Sequence, residues 1–258
     1  MGPAVRRIAL FYGIAIACSW YFRVHDPQWY RDLVLPFGLT PFKYLLEGLG
    51  PALGALVVIG LFKPKRNVTL FGTSRKWSLL MAALPVLLLA LIGVGPGEEG
   101  GNAHVHGLIV GLLSVGYVVL EECGWRGYLL DEVRGLGTTS VRGRALLIGM
   151  LWYVWHLTPW NAAGIGDHFI FLGMLVFASW GFEKITDTTG SVVSAACFHL
   201  LGSLLSTNVL LQNGLSSTAR LVIFGICLVV WIAMVSKWPG RAPSGDMRSQ
   251  VPPGSAAL

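Results

Sequence analysis

Along the chain, apolar residues come in long runs closed by charge, glycine or proline, not in short alternating patches. Eight of these runs have about 16 to 20 residues, the length at which an α-helix crosses a hydrocarbon core. They cover residues 7–22, 44–62, 77–95, 104–122, 144–160, 168–183, 191–210 and 219–236. The pattern predicts an all-α, polytopic membrane helix bundle of about eight transmembrane helices. Residues 1–238 form the transmembrane domain in this reading, with a chemical core over about 104–210, and the Pro-, Gly- and Ser-rich stretch 239–258 forms a disordered tail. The stretch Gly50-Pro51-Ala52-Leu53-Gly54 offers a small-residue face for close helix packing. No internal repeat is evident, which disfavours a repeat-built transporter.

Composition sharpens the class. The 258 residues are 54% hydrophobic and only 12% charged, with a mean hydropathy of +0.64. A soluble domain carries about 25% charge, so a soluble globular enzyme is excluded. The net charge of +6 does not imply a nucleic-acid partner, because the basic residues collect beside the ends of apolar runs and form no stripe. If Arg6 and Arg7 are cytoplasmic, the same side receives Lys63, Lys65, Arg66, Arg75, Lys76, Arg126, Arg134, Arg142, Arg144, Lys184, Lys237, Arg241 and Arg248, which makes 15 of the 19 basic residues. The outer side keeps Arg23, Arg31, Lys43 and Arg220, with Glu98 and Glu99 in the loop after the third run. Eight spans with both termini cytoplasmic satisfy the positive-inside rule. Arg6 and Arg7 before an apolar run also resemble a signal peptide, but no small-x-small cleavage site follows, so a retained first helix is expected.

Four cysteines, Cys18, Cys123, Cys197 and Cys227, sit singly in apolar segments without C-x-x-C spacing. They imply neither a disulfide framework nor a structural zinc site. Cys123 and Cys197 adjoin the polar residues discussed next, but a thiol in apolar surroundings is inert, which argues against a thiol mechanism.

A charged or strongly polar side chain within a span costs about 2.5 to 3.5 kcal/mol on insertion scales, so each needs a reason. Five stand out: Glu47, Glu121, Glu122, His156 and His199. Glu47, near the outer end of its run and without chemical companions, reads as structural or interfacial. Glu122 and Arg126 are four apart and can pair on one helix face, leaving Glu121 rotated by about 100° and free of the arginine. A carboxylate without a cationic partner, in a low-dielectric and partly wet cavity, suits a general base acting on water. Placed at the cytoplasmic end of the fourth span, the cluster also has a plain reading as an interfacial salt bridge, and for Glu122 and Arg126 a supporting role and a direct catalytic role both stay open. His156 follows Trp152 by one turn, and Ser203 follows His199 by one turn. One intramembrane histidine can simply bond a backbone carbonyl, whereas two beside a carboxylate pair, on three helices, form a proton-handling constellation.

These motifs resemble the CAAX protease and bacteriocin-processing (CPBP) family of intramembrane endopeptidases, which includes the type II CAAX prenyl endopeptidases. The E-E-x-x-x-R pattern is met by Glu121, Glu122 and Arg126, followed by Gly127-Tyr128-Leu129-Leu130. F-x-x-x-H is met at His156 with Trp152 in place of Phe, and H-x-x-x-N at His199 with Ser203 in place of Asn. The resemblance covers about residues 120–205. It implies that Glu121 with His156 activates the attacking water, and that His199 with Ser203 forms the oxyanion side. Serine keeps a donor but reaches less far than an asparagine amide.

The implied activity is endopeptidase cleavage of a membrane-associated peptide, prenylated or bacteriocin-like. The expected location is the plasma membrane of a prokaryote, with the lipid bilayer and a peptide or lipidated peptide as partners. The family is often called metalloprotease, and a zinc held by Glu121, His156 and His199 is the alternative to a cofactor-free site. The absence of H-E-x-x-H favours metal-free hydrolysis, because a buried Glu/His pair can activate water unaided. His104 and His106 point about 200° apart on a helix and read as surface residues. Two other functional classes remain open: a catalytically silent binding, sensor or immunity protein that keeps the cavity, and a proton-coupled transporter using the same groups as a relay.

Overall fold

The computed structural model describes residues 2–36, 39–95, 101–137, 140–157, 164–207 and 209–240. Among these the chain is helical, with no strand and one isolated bridge between Thr69 and Ser191. In chain order the helices are α1 (Pro3–Trp20), α2 (Gln28–Arg31), α3 (Leu45–Phe62), α4 (Arg75–Ile92), α5 (Ala103–Gly124), α6 (Leu130–Gly135), α7 (Val141–Trp155), α8 (Ile165–Thr189), α9 (Val192–Gly202), α10 (Val209–Gly214) and α11 (Ser217–Ser236). The eight apolar runs correspond to α1, α3, α4, α5, α7, α8, α9 and α11. Among the described residues, six helical segments are long and apolar enough to cross a membrane, and the chain is an integral membrane protein. The other two runs give shorter helices: α7 has 15 residues, and α9 belongs to an apolar stretch from Val192 to Leu205. At 1.5 Å per residue, α7 rises about 22 Å and falls short of a core about 30 Å thick. The two short helices carry His156 and His199.

Local sequence fixes where helices start. Ser74, Asn102, Ser140, Ser191 and Ser216 each accept a hydrogen bond from a backbone N–H of the following first turn. Each satisfies a donor that has no intrahelical partner. Gly190 ends α8 in the left-handed conformation, and Gly72 takes φ +60° where a Cβ would stand 2.1 Å from Thr189 O. That glycine lets the 69–73 loop lie against the α8–α9 turn, where Val192 N donates to Thr69 O at 3.0 Å.

Small residues decide which helices touch. A Cβ on Gly50 would meet Ala15 O at 2.8 Å, and one on Gly54 would meet Phe11 O at 2.7 Å, so α3 lies directly on α1. Gly124 faces Pro51 in the same way, bringing α3 against α5, while Gly107 and Gly111 admit α4. Lipid tails give no hydrophobic drive between helices, so van der Waals packing of this kind does the work.

The fourth span needs a correction. It does not close at residue 122: α5, a π-helical turn at Trp125–Leu129 and α6 run on as one helical unit of 33 residues, Ala103–Gly135. Glu121 and Glu122 therefore sit near the middle of this unit and not at its cytoplasmic end. Arg126 is 1% exposed and does not belong with the basic residues at the helix ends. The carboxylate and guanidinium that read as a span terminus neutralise each other inside the protein, so the chain can continue.

One end of the bundle collects charge. Arg7 pairs with Glu132 at 2.8 Å, Arg66 with Asp131 at 3.5 Å, Arg144 with Glu183 at 2.6 Å, and Arg134 with Asp187. Arg7 near the start of the chain joins this end; near its close, Trp238 Nε1 donates to Thr73 Oγ1 at 2.9 Å. The expected tail lies, from residue 241 onward, outside the described residues, as do Arg241, Arg248, Glu98 and Glu99.

Candidate active site

Three helical units supply the predicted site. α5 carries Glu121 and Glu122, and the π-helical turn after it carries Arg126. α7 carries Trp152, with His156 as its C-terminal cap, and α9 carries His199. A second π-helical turn begins at Ser203. Such turns break the 3.6-residue register and recur at functional sites.

Glu122 is fully buried. Its Oε1 accepts from Arg126 Nη1 at 3.0 Å and from His199 Nδ1 at 2.9 Å. An ionised carboxylate offers only lone pairs, so His199 carries a proton on Nδ1. In the neutral ring Nε2 is then an acceptor, and only the imidazolium has a second N–H to give. Arg126 also donates from Nη2 to Ser179 Oγ at 3.2 Å, and its guanidinium lies 4.6 Å from the Trp152 ring centroid and 4.7 Å from that of Phe182. Desolvating two charges costs several kcal/mol per ion, and these partners offset it, although Glu122 Oε2 has no hydrogen-bond partner among the described residues and meets only the Arg126 charge at 3.0 Å.

Glu121 is 1% exposed and has no contact with Arg126 among its hydrogen bonds. Its Oε2 accepts from the Trp152 indole N–H at 3.3 Å, and Tyr117, one turn earlier on α5, also bonds it. No hydrogen bond joins Glu121 to His156 among the described residues. His156 Nδ1 instead donates to Trp152 O at 2.8 Å, which leaves Nε2 as the acceptor of the neutral ring. Trp152 is the common neighbour: His199 meets its ring edge-on with centroids 5.0 Å apart, and His156 lies 6.0 Å away. Ser203 Oγ makes no hydrogen bond to a described residue.

The remaining polar residues fall elsewhere. Glu47 accepts from Arg23 Nε and from Tyr30 OH, both at 2.7 Å, and has a structural reason for its place. Arg23 continues to Trp155, donating to its carbonyl at 3.3 Å and lying 4.3 Å from its ring centroid, next to His156. His104 is exposed, but His106 is buried, with Nδ1 2.9 Å from Gly95 O. His106 therefore corrects the surface reading: it satisfies a carbonyl where α4 passes into α5. The four cysteines are free thiols.

Among the described residues, no group of three or more His, Cys, Asp or Glu side chains is placed to hold a metal ion. Both site histidines have Nδ1 committed, which leaves Nε2 as the uncommitted ring nitrogen of each, and Glu121 Oε2 accepts an indole N–H.

Sequence reasoning missed Tyr117, Ser179 and Phe182. The i, i+4 spacing of Tyr117 and Glu121 was the available signal for the first. Nothing in the sequence marked the other two, which reach the site from α8.

Residues 103–205 match the family model described as Rce1-like, type II CAAX prenyl endopeptidase. No curated protein and no solved structure matches the chain. The matched segment contains Glu121, Glu122, Arg126, Trp152, His156, His199 and Ser203. The chain thus carries an Rce1-like segment over residues 103–205, consistent with the CAAX protease and bacteriocin-processing family, whose general activity is intramembrane proteolysis.

Proposed function

We propose that the protein is a glutamate-type intramembrane endopeptidase that hydrolyses a peptide bond in a membrane-associated peptide, prenylated or bacteriocin-like. The observation that carries this reading is a pair of adjacent buried carboxylates with different partners. Glu122 is engaged by Arg126 and His199, while Glu121 meets only neutral donors. One carboxylate is held as a support and its neighbour keeps basicity for water.

In the proposed reaction Glu121 takes a proton from water, with His156 Nε2 as a second acceptor beside the same indole. The hydroxide equivalent adds to the scissile carbonyl. The oxyanion faces His199, in its imidazolium form, and the Ser203 hydroxyl. Collapse breaks the C–N bond, and the proton held by Glu121 passes to the leaving amine. Glu122 and Arg126 orient His199 and do not touch the substrate. No metal or other cofactor enters the scheme. We place the enzyme in a prokaryotic plasma membrane, and the gathering of basic helix ends on one side supports both termini being cytoplasmic.

A peptide-library cleavage assay on the purified protein, with Glu121→Gln as control, tests the proposal. Cleavage by the parent and none by the variant is expected. Ser203 in place of an amide favours a second reading, a silent binding or immunity protein. That reading gains if the parent cleaves nothing and Glu121→Gln leaves partner binding intact.

A further inference from the structure

Trp152 stands where the family pattern has phenylalanine, and the structure gives its additional atom a task. A phenylalanine ring fills the same space between the helices but has no N–H. Here the indole Nε1 lies 3.3 Å from Glu121 Oε2, with Trp152 2% and Glu121 1% exposed. Water does not compete for a donor buried to that extent, so the bond counts for more than a surface one.

The face of the same indole carries the Arg126 guanidinium, 4.6 Å from the ring centroid. A cation over the π face draws electron density from the ring and makes its N–H a better donor. Arg126 is itself held by Glu122 at 3.0 Å. A contact chain therefore runs from Glu122 through Arg126 and Trp152 to Glu121, joining two carboxylates that are neighbours in sequence but point to different partners.

We infer that Trp152 is a positioning residue: its indole N–H fixes one oxygen of the Glu121 carboxylate, and it relays the Arg126 charge to that carboxylate. This rests on the protease reading for its catalytic consequence but not for the bond itself. Hydrogen bonds to charged groups correspond to about 10- to 100-fold in rate or equilibrium.

Trp152→Phe keeps the ring and the cation contact and removes only the N–H. With a cleavable peptide, kcat is expected to fall about 10- to 100-fold while KM stays within about twofold. A parent-like kcat overturns the inference. So does a rise in KM accompanied by a lower thermal midpoint, which marks a packing role only.

The bond itself is read without activity from the indole ¹H–¹⁵N resonance of Trp152, assigned by its loss in Trp152→Phe. Glu121→Gln, and Glu121→Leu where the acceptor is removed altogether, are expected to move that resonance upfield. An unmoved resonance overturns the inference even in an active enzyme. A parent that cleaves nothing, with the resonance still moving, defeats the protease reading and leaves the Trp152–Glu121 coupling standing.

Discussion

His199 Nδ1 lies 2.9 Å from Glu122 Oε1, the oxygen that also accepts from Arg126 Nη1. The second carboxylate of the Glu-Glu pair is thereby shared between a guanidinium and an imidazole on another helix. It ties α5 to α9 and sets which nitrogen of His199 faces away from it.

The first prediction concerns that shared carboxylate. Removing one member of a buried ion pair leaves an uncompensated charge and costs about 3 to 5 kcal/mol. Glu122→Ala should lower the thermal midpoint in detergent sharply, and Arg126→Met should do likewise. The double variant should lose clearly less than the sum of the two, because no orphan charge remains. Additive losses would show that the pair is not coupled.

Backbone approach beside the site gives a second prediction. A Cβ on Gly124 would stand 2.4 Å from Pro51 Cβ and 2.7 Å from Pro51 O. The clash is with the backbone of α3, which has no rotamer to yield. Gly124→Ala should destabilise the protein by about 1 to 3 kcal/mol, the usual cost of overpacking. Gly116→Ala, where a Cβ meets nothing within 4 Å, is the control and should leave the midpoint unchanged.

The hydrophobic runs made eight helices and their order legible, since each run had the length of a span. The Glu122–Arg126 contact followed from i, i+4 spacing. The true end of the fourth span did not, because a charge cluster in sequence looks the same whether it faces water or is neutralised internally. Only the contacts of Arg126 with Ser179, Trp152 and Phe182 distinguish the two. His106 was misjudged for a related reason: its spacing from His104 gives direction on the helix, but its burial depends on the carbonyls of Val94 and Gly95 folding back over it. The link from Trp152 to Glu121 joins α7 to α5, and no local pattern encodes a contact between residues 31 apart.

The third prediction separates hydrolysis by carboxylate from hydrolysis by metal. Glu121→Gln and His156→Ala should each abolish cleavage while the variants keep the parent's thermal midpoint. A strong chelator should leave the parent active. Inhibition by chelator that added zinc reverses would replace the metal-free scheme with one in which Glu121, His156 and His199 rearrange as ligands.

Orientation is the subject of the fourth. Arg7, Arg66, Arg134 and Arg144 meet their carboxylate partners at one end of the bundle, and Trp238 joins the same end through Thr73. Cysteine labelling or reporter fusions at Gly135 and at Gly240 should report one side of the membrane, the cytoplasm. Opposite sides at the two positions would refute the eight-span topology.

The fifth prediction turns on Ser203, which follows His199 by four residues at the start of a π-helical turn and has no hydroxyl partner among the described residues. A hydroxyl without a protein acceptor is available to a substrate oxyanion, but its reach is shorter than that of an asparagine amide. His199 in its imidazolium form is the stronger donor, because a charge-assisted bond exceeds a neutral one. Ser203→Asn should therefore preserve or raise kcat. Ser203→Ala should lower it by up to about 10²-fold, the low end for losing one oxyanion donor. His199→Ala should be more damaging than either, since it removes the main donor and leaves Glu122 with Arg126 alone. Turnover of one cleavable peptide by the three variants decides the assignment. If Ser203→Ala matches the parent while His199→Ala is inactive, Ser203 is a packing residue of the helix, and the oxyanion is met by His199 alone.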